Sequence, residues 1–221
     1  MKVAVIIPAV KKNVAFTDDL VKKLASISLV QRVINKAKEI TADENIFVVT
    51  DSQEISLICQ RNGVTELYEK NIKLRPDSML KDMSPLLCKI TSKYSDLIVL
   101  SPYAPLLNVE EIQKAVEQYK AGKGKLLIPV RQELGRVFRW NRTSKVLSGE
   151  KKQNWFVESQ AFQIVSKDLL ESDVGEDDIE PLVYELSLDL IEIHSYQDWW
   201  VCEKLLNRKQ IIFRVIGDGE V

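Results

Sequence analysis

The sequence has few of the residues that build metal and redox sites. It contains 3 cysteines and 1 histidine in 221 residues, and no two cysteines form a CxxC pair. Zinc-ribbon and zinc-finger folds, which need closely spaced Cys and His ligands, are therefore excluded. Widely separated thiols with no secretory signal are typical of a reducing compartment, so we expect a cytoplasmic protein.

Neither sign of charge is in excess. The chain has 31 Lys and Arg against 32 Asp and Glu, which gives a formal net charge of −1. Surfaces that bind nucleic acid usually need a basic excess, so we expect no nucleic-acid partner. The first apolar run, at residues 3–10, is too short to cross a membrane, so we expect no membrane association.

Several common catalytic motifs are also missing. The sequence contains no Walker A motif, GxGxxG, GxSxG or HExxH. These motifs therefore identify no reaction. What is present is an ordinary globular composition, with 45% hydrophobic and 29% charged residues. A chain of this size and composition is long enough to bury a sizeable core.

Hydrophobic patterning predicts alternating strands and helices. The predicted strands cover residues 3–7, 46–50, 96–100 and 125–130, and the predicted helices cover residues 29–37, 55–61, 84–94 and 109–119. Continuous β-branched runs are typical of buried parallel strands, and the helices repeat apolar residues at helical spacing. This alternation predicts an α/β fold, a three-layer sandwich around a mostly parallel sheet with right-handed crossovers.

Such a sheet also predicts where a ligand binds. In open α/β sheets, ligands lie beyond the carboxyl ends of the strands. In this sequence those ends carry Pro8–Lys12, Thr50–Asp51, Ser101–Pro105 and Val130–Arg131. We therefore expect the functional site at this edge.

Two segments depart from the alternation. Residues 131–160 predict a β arm inserted into the α/β pattern, with aromatic strands flanking Gly149. Near the end of the chain, residues 211–216 predict a strand that meets Gly217. We therefore predict one domain over residues 1–208 and a C-terminal strand within residues 209–221. That strand is either the last of the domain or the start of a following domain.

The order of segments and several short motifs resemble the acylneuraminate cytidylyltransferases, the CMP-sialic acid synthetases. The resemblance covers roughly residues 1–206, and its most specific element is Arg75 to Asp82. The motifs that carry it are Ile7-Pro8-Ala9, Val49-Thr50-Asp51, Arg75 to Asp82 with Ser84-Pro85, Ser101 to Leu106, and Glu192-Ile193-His194. The end of the chain separately resembles the first strand and glycine-rich loop of nucleotide-sugar hydrolase-like enzymes.

The resemblance implies a nucleotidyltransferase (Rossmann-like) fold and an activity. The implied reaction is transfer of CMP from CTP to an acidic nine-carbon, sialic-acid-like sugar. The implied catalytic residues are Lys12, Arg75 and Asp82; the implied nucleotide and sugar contacts are Ala9, Lys11, Ser84 and Ser101; and Glu192 with His194 would hold Mg²⁺, or Mn²⁺. The resemblance also implies a homodimer that exchanges contacts through the β arm, with Phe138, Trp140 and Trp155 as candidate anchors.

The phosphate-binding loop departs from the family pattern. In an ungapped match, the family's phosphate-gripping Arg falls on Val10 and its two Gly fall on Lys11 and Lys12. A gapped match instead places residues 11–13 on a later Lys-Asn pair. Triphosphate binding needs close backbone approach and cationic groups, so either match means an altered loop. At the metal element, His194 replaces an Asp, and imidazole suits Mn²⁺ or Zn²⁺ better than Mg²⁺.

These departures leave three functional hypotheses open. The first is an active cytidylyltransferase, and the second is a degenerate pseudo-enzyme that binds nucleotide or sugar, or that serves as a dimerising module for a sugar-pathway enzyme. The third is a transferase for another nucleotide or acceptor. For each candidate residue a structural role is also open: His194 as a packing residue, Arg75-Pro76 as a surface loop, Ser101-Pro102 as a turn and Lys11-Lys12 as a solvated pair.

Overall fold

The computed structural model describes most of the chain. The described residues are 2–11, 18–75, 78–122, 124–135, 138–141, 146–149, 153–172, 179–186 and 190–217. Within them, no helix is both long enough and apolar enough to span a membrane.

Strands and helices alternate through the first half of the chain, as the sequence predicts. The helices are α1 (Leu29–Ile40), α2 (Gln53–Asn62), α3 (Met79–Leu87), α4 (Val109–Gly122), α5 (Lys167–Leu170) and α6 (Tyr196–Gly217). The strands are β1 (Val3–Pro8), β2 (Lys23–Leu24), β3 (Ile27–Ser28), β4 (Ile46–Thr50), β5 (Thr65–Tyr68), β6 (Asp96–Leu100), β7 (Leu126–Gly135), β8 (Phe138–Asn141), β9 (Val146–Gly149), β10 (Gln153–Glu158), β11 (Phe162–Ser166) and β12 (Leu182–Glu185).

One mixed sheet organises the molecule. Its strand order is β10-β7-β11-β6-β1-β4-β5, and β12 also pairs with β7. β1 is parallel to both β4 and β6, β4 is parallel to β5, and β12 is parallel to β7. β11 is antiparallel to β6 and β7, and β10 is antiparallel to β7. The predicted mostly parallel α/β sheet is therefore confirmed.

The sheet is covered on both faces, because successive residues of its central strands point to opposite sides. In β1, Val5 and Ile7 belong to one core cluster, whereas Ala4 and Ile6 belong to the other. The first cluster contains the buried faces of α1, α2 and α4, and the second contains those of α3 and α5. The result is the predicted three-layer sandwich.

The ends of the first two connecting helices follow from local sequence. The Ser28 hydroxyl caps α1 by accepting a hydrogen bond from the N–H of Gln31 at 3.2 Å. α2 ends at Gly63, whose φ of 69° is the left-handed conformation that glycine adopts without strain. Both helices therefore begin after the carboxyl end of one strand and return the chain to the next.

The predicted β arm is also present. β7 continues to Gly135, β8 and β9 form a separate antiparallel ribbon, and β10 returns along β7. The arm is thus a ribbon between two strands of the main sheet.

Two predicted elements are wrong. The helix predicted at residues 84–94 is α3, which begins earlier, at Met79, because Leu80 and Met83 already pack into the core before Pro85. The strand predicted at residues 211–216 is part of α6, a single helix from Tyr196 to Gly217. Residues 207–210 include no helix breaker, so the helix propagates through an apolar run that alone fits either structure.

Candidate functional site

The carboxyl edge of the sheet begins at the end of β1. The N–H of Ala9 donates to the carbonyl of Val49 at 2.8 Å, so the chain stays attached to β4 for one residue beyond the strand. The Ala9 side chain is fully buried.

Lys11 contacts three carboxylates at this edge. Its ammonium nitrogen is 2.8 Å from Oε2 of Glu54 and 2.9 Å from Oδ1 of Asp18. Its backbone N–H donates to Oδ1 of Asp51 at 2.8 Å. Burial lowers the pKa of Lys11, but hydrogen bonds and charge attraction from Glu54 and Asp18 outweigh burial and raise it overall. Lys11 is therefore a charged side chain that two acids bind. The prediction for Lys12 lies outside the described residues.

Arg75 and Asp82 form a closed pair before and within α3. Nη2 of Arg75 is 2.7 Å from Oδ1 of Asp82, and its Nε is 3.2 Å from Oδ2. The backbone N–H of Arg75 also donates to Oδ2 at 2.9 Å. The bidentate pair with Arg75 holds the pKa of Asp82 below its ordinary value. Asp82 thus fixes the Arg75 loop, and the Arg75 side chain remains 66% exposed.

Ser84 lies away from this edge. Its hydroxyl donates to the carbonyl of Leu170 at 3.2 Å, at the end of α5. α5 follows β11, whose last residue, Ser166, is level with Asp96 at the start of β6. The structure therefore places Ser84 toward the amino ends of the parallel strands and does not bring it to Lys11.

Ser101 marks the carboxyl end of β6. Its N–H donates to the carbonyl of Ala161 at 3.0 Å, and its hydroxyl accepts from the N–H of Tyr103 at 3.2 Å. The hydroxyl therefore shapes the turn that follows the strand. Ser101 lies beside the β10–β11 turn (Ser159–Ala161), which also contacts Glu192.

Glu192 and His194 do lie together. Nε2 of His194 is 3.6 Å from Oε2 of Glu192. The Glu192 side chain is 8% exposed and the His194 side chain is 67% exposed. The segment is not a regular strand, but the N–H of Ile193 donates to the carbonyl of Tyr103 at 2.9 Å, which attaches it to the loop after β6.

The start of α6 fixes the backbone of His194. Asp198 accepts from the N–H of His194 at 3.0 Å and from the Ser195 hydroxyl at 2.8 Å, while its own N–H donates back to Ser195. Burial raises the pKa of Asp198, but these hydrogen bonds outweigh burial and lower it overall. This reciprocal cap at Ser195 places His194 two residues before the first residue of the helix, Tyr196.

Glu192 fits a divalent cation better than His194 does. The carboxylate is a hard oxygen ligand, and Mg²⁺ typically takes one or two carboxylates and completes its shell with water and phosphate oxygens. Imidazole suits Mn²⁺ better than Mg²⁺. Within the described residues no group of three Asp, Glu, His or Cys side chains could hold a metal. A cation here would therefore depend on Glu192 and on oxygens supplied by substrate.

Sequence reasoning places Asp51 at this edge but does not predict the contacts that four residues make here. Asp18, Asp51 and Glu54 bind Lys11, and Ser159 binds Glu192. The acids after β4 were visible as part of a motif, but their pairing with Lys11 depends on the parallel register of β1 and β4. No local pattern distinguishes Ser159 from other serines that follow strands.

Comparisons with known proteins give a matching sequence family and curated relatives. The sequence model of the family described as "Cytidylyltransferase" matches residues 4–196. Curated relatives named 3-deoxy-manno-octulosonate cytidylyltransferase, from two strains of Rickettsia bellii, are each 26% identical over 129 residues. That match covers 58% of this chain and 52% of each relative, so the chain spans about half the length of the curated relatives it matches.

Two solved structures share the fold. CMP:2-keto-3-deoxy-manno-octonic acid synthetase complexed with CTP has a TM-score of 0.69 at 11% identity, covering 95% of this chain and 100% of that one. The 4-diphosphocytidyl-2C-methyl-D-erythritol synthase from Anaerococcus prevotii also has a TM-score of 0.69, at 14% identity, covering 93% and 98%. At these identities the likeness establishes the fold alone.

Proposed function

Because this chain belongs to the cytidylyltransferase family, we propose that it transfers CMP from CTP to a hydroxyl of an acidic sugar. The observation that carries the proposal is the juxtaposition of charged groups at the carboxyl edge. Lys11 follows β1, and Glu192 lies beside the end of β6, the strand next to β1. This is the edge at which sheets of this kind bind nucleotides.

The proposed reaction is a displacement at phosphorus. The sugar oxygen forms a bond to the α-phosphorus of CTP, the bond from that phosphorus to the pyrophosphate oxygen breaks, and the hydroxyl proton leaves to solvent. Lys11, with Lys12, would bind the phosphates, and Ser101 would contact substrate from the end of β6. Arg75 and Asp82 would shape the wall of the site, since their pairing fixes the loop before α3 and the Arg75 side chain is 66% exposed.

A divalent cation completes the proposal. Glu192, with His194 beside it, would hold Mg²⁺ or Mn²⁺. The cation would supply charge neutralisation for the α-phosphate and the departing pyrophosphate. Glu192 is suited to this role because its carboxylate is already fixed before a ligand arrives.

The proposed acceptor is a keto-sugar acid. The names of the curated relatives favour an eight-carbon octulosonate. The motifs at Arg75 to Asp82 and at Glu192 to His194 also resemble the enzymes of nine-carbon sialic acids, so a nonulosonate is the second acceptor to test. We further propose a homodimer that contacts through the β arm. Residues 211–216, from which a following domain was expected, lie in helix α6.

A specific observation favours a second candidate function, a nucleotide-binding module without turnover. The described charges next to Lys11 are Asp18, Asp51 and Glu54, and these acids would oppose a triphosphate. Losing a single electrostatic contact to a transition state typically costs on the order of 10²–10³ in rate, so a compromised phosphate loop could leave binding intact and chemistry slow.

Calorimetric titration with CTP, with and without Mg²⁺ or Mn²⁺, and a pyrophosphate-release assay test both candidates. The assay is run with an octulosonate and with a nonulosonate as acceptors. We expect CTP binding that Mg²⁺ or Mn²⁺ strengthens, and pyrophosphate release that Glu192→Ala abolishes. Binding without release from either acceptor would favour the module, and no binding at millimolar CTP would overturn both candidates.

A further inference from the structure

The carboxylate of Glu192 is held by one turn of the sheet. The Ser159 hydroxyl donates to Oε1 of Glu192 at 2.5 Å, and the N–H of Gln160 donates to Oε2 at 3.2 Å. Ser159 is fully buried. Both oxygens of the candidate metal ligand are therefore fixed by neighbouring residues between β10 and β11.

The direction of the short hydrogen bond follows from the chemistry of its partners. An ionised carboxylate only accepts hydrogen bonds, so Ser159 must give its one proton to Glu192. The Ser159 oxygen in turn accepts from the N–H of Ala161 at 3.3 Å, which orients the hydroxyl within the turn. Hydrogen bonds to a charged acceptor are short and strong, so this contact restricts the carboxylate more than a neutral bond would.

The turn itself is attached to the sheet on both sides. The N–H of Ser159 donates to the carbonyl of Pro129 on β7 at 2.9 Å, and the carbonyl of Ala161 accepts from Ser101 at the end of β6 at 3.0 Å. The turn that contains Ser159 therefore holds Glu192 in a fixed position relative to β6 and β7. A side chain held in this way needs little reorganisation when it binds a cation.

We propose that Ser159 is a positioning residue that acts through Glu192 and fixes the geometry of the divalent-cation site at the carboxyl edge. The inference rests on the proposed function, because it requires Glu192 to hold the cation. Residues that orient a metal ligand typically change metal affinity by about 10- to 100-fold when they are removed. Ser159 is expected to behave in this way although it would not contact the cation itself.

Mn²⁺ binding provides the test, measured by electron paramagnetic resonance in the presence of CTP. Ser159→Ala should weaken Mn²⁺ binding by about tenfold or more, whereas Ser159→Thr, which keeps the hydroxyl, should rescue most of the affinity. Binding of CTP in the presence of EDTA should be unchanged in both variants. This split between metal and nucleotide affinity would not follow from a merely structural defect.

Two controls make the result specific. Ser172→Ala removes a partly buried hydrogen bond, in which the Ser172 hydroxyl donates to the carbonyl of Leu169 at 2.7 Å. This bond lies after α5, away from the carboxyl edge, so the substitution should leave Mn²⁺ binding unchanged. In a double-mutant cycle, Ser159→Ala should have no further effect in a Glu192→Ala background, because Ser159 acts through that side chain. If Ser159→Ala does not fold by circular dichroism, Ser159→Cys, whose thiol is a weak donor, replaces it.

Each other outcome overturns the inference in a distinguishable way. If Ser159→Ala binds Mn²⁺ as the unchanged protein does while Glu192→Ala does not, the role of Ser159 is wrong and the proposed function stands. Equal losses with and without Glu192 would also reject it, since the effect would not pass through that residue. If the unchanged protein binds no Mn²⁺, or Glu192→Ala binds it normally, the cation site of the proposed function fails and the inference fails with it.

Discussion

At the scale of single residues, Lys11 faces two competing sets of anions. In the structure its ammonium group is bound by Glu54 and Asp18, and under the proposed function it must bind phosphate oxygens instead. The two acids are 58% and 60% exposed, so their attraction for Lys11 is screened by water. Nucleotide binding would therefore exchange these weak ion pairs for contacts to phosphate.

Glu54→Gln should therefore tighten CTP binding. The substitution removes one competing charge, and since an exposed ion pair contributes at most about 1 kcal/mol, we expect a gain of about twofold to fivefold in affinity. Titration calorimetry at low salt checks this. Glu117→Gln, on the exposed face of α4, is the matched control and should leave the affinity unchanged. Weaker CTP binding by Glu54→Gln would show that Glu54 helps the nucleotide and does not compete with it.

The ion pair of Asp82 predicts how the free energy of unfolding depends on pH. Its pKa is lowered in the folded protein by Arg75, so its stabilisation is fully present above the unfolded-state pKa and is lost as pH falls through the lowered folded value. Asp82→Asn should reduce the free energy of unfolding by about 1 kcal/mol at neutral pH, the usual size of such a hydrogen-bonded pair. Urea unfolding should show the full difference at pH 7 and a difference that shrinks as the pH is lowered through the folded-state pKa of Asp82.

Arg75→Gln is the partner control for this prediction. If the stabilisation comes from the pair, the double variant should be no less stable than Asp82→Asn alone. Additive losses would mean that each side chain stabilises the loop independently. Both results are read from the same unfolding midpoints.

At the scale of elements, the β2–β3 hairpin carries backbone strain. Its turn residues are Ala25 and Ser26, with φ of 48° and 82°. A two-residue hairpin turn with positive φ at both central positions favours glycine and asparagine, which adopt it more readily than alanine or serine. The hairpin also contributes Leu24 to the cluster that contains Ile193, so its conformation bears on the Glu192 segment.

Ser26→Gly should therefore stabilise the protein. Relief of the left-handed conformation is worth about 1 kcal/mol, which exceeds the entropy that glycine adds to the unfolded chain. Thermal unfolding measures the gain. Ala42→Gly is the matched control, because φ at Ala42 is −69° and glycine there should only destabilise. A loss of stability in Ser26→Gly would mean that the Ser26 side chain makes a contact worth more than the strain.

Elements with a buried, periodic pattern could be predicted from the sequence, and those decided by neighbouring elements could not. β1, β4 and β6 are almost entirely apolar because both faces of the sheet are covered. Their positions can therefore be predicted from the apolar runs in the sequence. The apolar run at residues 211–216 does not determine its own secondary structure, since a short apolar run fits either a helix or a strand. The structure continues α6 through it.

The same distinction applies to the site. The location of Lys11 and Ser101 at the carboxyl edge follows from their place after predicted strands. The meeting of Glu192 with Ser159 could not be predicted, because it joins residues 33 positions apart through a turn whose place depends on the antiparallel entry of β11. Ser84 is a ligand contact by the resemblance alone, and no local pattern predicts that its hydroxyl donates to the carbonyl of Leu170.

At the scale of the whole molecule, one edge of the sheet is a candidate surface for dimerisation. β10 is the outermost strand on that side, and its Phe156 side chain is 58% exposed, with Val157 36% exposed beside it. An edge strand with an exposed aromatic residue is a natural surface for pairing with a second chain. Trp155, one of the candidate anchors, lies in the same strand. The other two, Phe138 and Trp140, lie in β8 of the β arm.

Sedimentation equilibrium tests the proposed homodimer and the place of its interface. The unchanged protein should sediment as a dimer, and Phe156→Ser should weaken association by at least tenfold, since a buried aromatic anchor typically contributes 2 kcal/mol or more, about a 30-fold effect. Leu57→Ser is the matched control, because Leu57 is 52% exposed on α2, on a helix that packs against β4 and β5, at the other end of the sheet. A dimer that survives Phe156→Ser but dissociates with Leu57→Ser would place the interface on the α2 side. A monomer at micromolar concentration would reject the dimer, and every group of the catalytic proposal would then have to come from a single chain.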